Sequence, residues 1–153
     1  MDFYLRTIKQ PNNELHEGKA PIFWSQGEND LIVDTNGDFA LTSGEDLLLQ
    51  SMAKILVTER GANTLFTIYG ARLQSFVGTR MNVDYLRSEI KTDIIDSLRI
   101  YQFINKDSGN LDEQIETLQS LKINLIGTDA FDVSFSVITR DGSIVGGLVQ
   151  IEG

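Results

Sequence analysis

The chain has 153 residues, with 13 basic against 22 acidic side chains, a formal charge of −9, no cysteine and one histidine. That length supports one domain with a real core, and the missing cysteines exclude a disulfide framework, thiolate chemistry and cysteine zinc sites. The negative balance repels phosphate backbones, so no nucleic acid is expected as a partner.

No apolar run approaches the roughly 18 residues that a membrane span needs, and no signal-peptide pattern is present. The expectation is a soluble protein made in a cytoplasm, with no membrane partner. Residues 1–30 differ from the rest. MDFYLRTI could form a short strand, but PNNELHEGKAP is polar and bounded by the two prolines, Pro11 and Pro21. This stretch reads as an N-terminal arm, poorly packed on its own domain, with Phe3, Leu5 and Trp24 as anchors for a partner.

Residues 31–41, LIVDTNGDFAL, read as a β-hairpin around Asn36-Gly37, a pair that tolerates positive φ. A calcium-binding loop is the rival, because Asp34, Asn36, Asp38, Leu41 and Glu45 keep the EF-hand spacing. Phe39 stands where that loop needs glycine.

Thr42 and Glu45 then match a capping box, with Ser43 and Asp46 as the alternative register. Leu48, Met52, Ile55 and Leu56 recur at helical spacing, widened by Leu47, Leu49 and Ala53. So many leucines predict a central helix over about 43–58, covered on more than one side. Gly61 and Asn63 mark the exit, and a short helix is expected over about 70–77, closed by Gly78.

Asn82 caps the next helix, with Met81 and Leu86 placed as a staple. Val83, Leu86, Ile90, Ile94, Leu98 and Tyr101 form its apolar stripe over about 83–104. Arg87, Glu89, Lys91, Asp93 and Asp96 read as its solvated face. The helix should break in KDSGN at 106–110.

From Leu121 onward the period changes to two. Leu121, Ile123 and Leu125 alternate with polar residues, as do Phe131, Val133, Phe135 and Val137. Asp141-Gly142 turns into IVGGLVQI, where Gly146-Gly147 suggests a bulge or a close backbone approach. The fold class is α+β: a 31–153 domain of central helices with a hairpin before them and a three-stranded antiparallel meander after them.

Chemistry is sparse. His16, the lone histidine, lies in the polar arm, and no phosphate-cradling glycine motif is present. No catalytic residue, cofactor or metal is assigned. Glu45 and Glu59 have simple roles as helix-end and surface charges, and Glu59-Arg60 could instead pair at an interface. The final strand, 143–151, contains no lysine, arginine or proline, the usual devices that blunt an edge. Val145, Gly146, Gly147 and Val149 are therefore candidates for strand addition by a partner, and proline at Val145 or Val149 should block it if that N–H points outward.

The run GEDLLLQSMAKILVTERGANTLFTIYGARLQSFVG resembles the small, often lysozyme-like-labelled baseplate wedge proteins of contractile-tailed phages and their type VI secretion counterparts. The matching features are Glu45-Asp46, Gln50-Ser51, Ile55-Leu56-x-Thr58-x-x-Gly61, then Tyr69-Gly70 and Leu73. The resemblance spans roughly Leu31 to Ile151. Ala62 stands where the family has an acidic residue. The family's Glu-Pro-Arg, which grips the helical bundle of larger wedge subunits, has no counterpart in RIYQFINKD. The resemblance implies a structural, non-enzymatic virion subunit in the inner baseplate ring. Its partners would be wedge subunits, the sheath protein and the tail tube or hub, with Tyr69 among the contact residues. A muramidase-like hydrolase and a calcium-stabilised module are the alternatives.

Overall fold

A computed structural model describes residues 41–107 and 109–153, the turn at 36–38, and the backbone of residues 24–25 and 30–31. Phe3, Leu5, the side chain of Trp24 and most of the proposed arm lie outside the described residues, as do most of the expected hairpin and the calcium-loop positions Asp34 and Phe39. In the part that is described, β1 (Trp24–Ser25) pairs antiparallel with β2 (Asp30–Leu31). Gly37 has the positive φ, +87°, expected of the Asn-Gly turn.

The α+β class holds. Helix α1 (Gly44–Val57) and helix α2 (Val83–Asn105) lie on one face of a sheet of β3 (Ile115–Ile126), β4 (Ala130–Thr139) and β5 (Ile144–Glu152), antiparallel in the order β3-β4-β5. Alternation explains the layer: Phe131, Val133, Phe135 and Val137 of β4, with Val145, Val149 and Ile151 of β5, are all buried. They meet Leu48, Met52, Ile55 and Leu56 of α1 and Ile90, Ile94 and Leu98 of α2 in one core cluster. Among the described residues no helix is long and apolar enough to cross a membrane.

The start of α1 differs from the capping-box expectation. The N-cap is Ser43, the alternative register, and not Thr42, but the Ser43 side chain makes no cap bond, and Gly44 follows with φ +63°. The cap comes from far along the chain: Glu113, in the short 3-10 turn Leu111–Glu113, accepts the Gly44 N–H at 3.1 Å. Asn110 donates to the same oxygen at 2.8 Å. A carboxylate at a helix N-terminus satisfies an orphan donor and complements the helix dipole. A side chain at Gly44 would also place its Cβ 2.7 Å from Asp112 Oδ2.

Asn82 caps α2 as its residue type predicts, accepting from the N–H of Asp84 (2.9 Å) and Tyr85 (3.3 Å). Two expectations for this helix are corrected. Val83 is 50% exposed and leaves the stripe, whereas Asp93, read as solvated, is 1% exposed. The expected helix at 70–77 reduces to a 3-10 turn, Leu73–Phe76. Strand β3 begins at Ile115, six residues before its alternation becomes visible in the sequence, because two register irregularities near Thr117 and Leu118 break its period. Between the layers, burial pushes the Tyr101 phenol up to about 12.

Candidate functional site

The segment between the helices is fastened at its base by a charge cluster. The Asp93 side chain is fully buried. Its Oδ2 accepts the backbone N–H of Arg72 at 2.6 Å, and its Oδ1 lies 3.2 Å from Arg72 Nε and 3.1 Å from Arg60 Nη2. Ser97, one turn along α2, accepts from Arg60 Nη2 at 3.1 Å, and its hydroxyl lies 2.7 Å from the Asp93 carbonyl. Arg60 Nε also reaches Gly70 O at 3.2 Å. One buried carboxylate thus serves two guanidinium groups and a main-chain donor, the full satisfaction a buried charge requires.

This geometry settles where the predicted contact residues stand. Arg60 pairs with Asp93 of its own chain; Glu59 is exposed beside it. Tyr69 packs half-buried against the core, and burial raises its phenol. Gly70 presses on the end of α1: a Cβ there would lie 2.5 Å from Thr58 O. That approach, with φ +110°, is why glycine stands after the aromatic residue.

The last strand carries the second candidate. Thr139 N donates to Ser143 O and Gly142 N to Thr139 O, both at 2.9 Å, so a three-residue loop with Gly142 at φ +91° closes the hairpin. Hydrogen-bonded pairs alternate from there. In the observed register, Val145, Gly147 and Val149 face Val137, Phe135 and Val133 in bonded pairs. Their N–H groups therefore point into β4, and the Val145 and Val149 side chains are core.

Proline at Val145 or Val149 would break the sheet itself: the two share one parity, so neither probes the outer edge. The outward N–H groups belong to Ile144, Gly146, Leu148 and Gln150. Among the described residues no strand pairs on that edge. Its far end is marked by Gln74, which donates to the outward Glu152 carbonyl at 3.1 Å. The close approach at Gly146 is internal, since a Cβ there would lie 3.0 Å from Phe135 O of β4.

Sequence reasoning missed Arg72, Asp93 and Ser97. A signal existed: Leu86, Ile90, Asp93, Ser97 and Tyr101 lie at spacings of four, three, four and four, which keeps both polar residues on the buried stripe. Comparison of the sequence with known protein families and with curated proteins finds no match.

Proposed function

We propose that the chain is a structural subunit of a contractile tail baseplate, seated in the inner ring around the tail tube, where the first sheath ring assembles on its sheet. The role is assembly, without turnover. The resemblance over residues 31–151 motivates this reading, and the outer edge of β5, on which no strand pairs among the described residues, is the observation that supports it. An unpaired edge is a template for another chain's strand, and β5 carries no lysine, arginine or proline to discourage such pairing, its one charge being Glu152 at the end. Affinity would reside in the main-chain groups of Ile144, Gly146, Leu148 and Gln150, which both donate and accept outward.

The test is a sheath-nucleation assay with the sheath protein of the same particle. Leu148→Pro and Gln150→Pro each remove one outward donor without touching the ladder to β4. Both should fold, as judged by circular dichroism, and nucleate sheath at least about tenfold more slowly, the loss of one or two main-chain hydrogen bonds. Val149→Pro should instead destabilise the sheet. Folded Leu148→Pro and Gln150→Pro proteins that nucleate at the wild-type rate would place the sheath contact elsewhere.

A further inference from the structure

The charge cluster holds a loop whose tip is unlike the rest of the surface. Arg60 N donates to Ala71 O at 2.9 Å and Ala71 N to Thr58 O at 2.8 Å, which brings the two ends together. Within the loop, Asn63 Oδ1 accepts from Leu65 N (3.0 Å) and Phe66 N (3.2 Å), and Tyr69 N donates to Phe66 O (2.9 Å). Closed ends and internal hydrogen bonds describe a compact Ω-type loop, ordered before any partner arrives.

Its tip points apolar groups at water. Leu65 is 87% exposed, Phe66 54% and Ile68 53%. Single exposed apolar residues are ordinary, but three within four positions of one loop form a patch. Residues 61–71 contain no charged side chain. A buried carboxylate with two arginines at the base is a large structural outlay for a solvent loop. It makes sense if the tip must be presented in one conformation.

We propose that loop 60–71 is a docking knob that inserts Leu65, Phe66 and Ile68 into an apolar cleft of a different protein. The knob is convex, so its complement is concave. A second copy of this chain is a poor complement: among the described residues, a cavity of about 360 Å³ at the α2–β3 junction has a mostly polar and charged lining, with Gln102, Lys106, Glu116 and Arg140 beside Phe103 and Ile115. An anionic lipid surface is a poor one too, because residues 61–71 carry no lysine or arginine, Arg60 at the base is paired with Asp93, and the chain is strongly acidic. Phe66 on a small rigid patch is the kind of aromatic anchor in which interfaces are enriched. The inference stands apart from the strand-edge reading and survives or fails without it.

The experiment places p-benzoyl-phenylalanine at position 66 of the full chain, expressed in its native source, and maps the photo-crosslinked residues by mass spectrometry. The protein so identified is then purified and titrated against the wild-type chain and the Leu65→Ser/Phe66→Ser double variant. The expected result is crosslinking to residues of an apolar cleft on one other protein. The double variant should then bind roughly 100-fold more weakly, with an unchanged melting temperature because neither side chain is buried. Crosslinks to another copy of this chain, to lipid or to nothing would overturn the proposal. So would a double variant that binds within about threefold of wild type.

Discussion

Leu48→Asp and Ile55→Asp are each expected to unfold the domain. Both side chains are 0% exposed and face the sheet from α1. Truncating such a residue costs about 2–5 kcal/mol in lost transfer and packing. A carboxylate in the same space adds several kcal/mol, because it must be buried unpaired or forced to remain protonated. The sum approaches the whole stability of an ordinary domain, about 5–15 kcal/mol. Thermal melting followed by circular dichroism is the measurement, and a loss of the cooperative transition is the result expected. Wild-type melting in both variants would make α1 peripheral.

Asp93→Ala is expected to cost about 3 kcal/mol, at the lower end of the range for breaking a buried ion pair. The lower end applies because Arg72 and Arg60 are 57% and 25% exposed and can turn their charge toward water. The Arg72 N–H has no such escape, so it remains an unsatisfied donor. Asp93→Asn keeps an acceptor for that N–H while removing both ion pairs, and should cost less than Asp93→Ala. Urea unfolding supplies the free energies, and hydrogen exchange across residues 59–72 reports the loop. The loop amides should lose protection in Asp93→Ala before the sheet does. A change under about 1 kcal/mol, with the Arg72 amide still protected, would reduce the cluster to a weak surface pair.

Local periodicity made the two helices and the strands β4 and β5 legible, because each buries one face and the chain repeats its apolar residues at the matching interval. Where the sequence misled, the cause was distance or parity. The cap on α1 comes from Glu113, 69 residues from Gly44, and no local pattern announces it. Asp93 looked solvated beside Lys91 and Asp96, and only an arginine from each end of the preceding loop makes its burial tolerable. Val83 had the right spacing for the core, but it opens α2, where Val83, Asp84 and Tyr85 are all exposed and burial begins only at Leu86. On β5 the apolar alternation correctly marked Val145 and Val149 as inward side chains. The direction of their N–H groups depended on the length of the 140–142 loop, which fixes which parity faces β4. The loop tip at Leu65, Phe66 and Ile68 was passed over because an apolar triplet without helix or strand period carries no structural signal of its own.

Imaging of the chain on a contractile particle tests the proposed role most directly. A compact electron-dense label would be fused after Gly153, which donates to Asp129 O at the far end of β5, and labelled particles would be averaged by electron microscopy. The expected label forms a ring around the tail tube, directly beneath the first sheath ring. Label on the tail fibres or the capsid, or tails that assemble complete sheaths without incorporating the chain, would contradict a place in the inner baseplate.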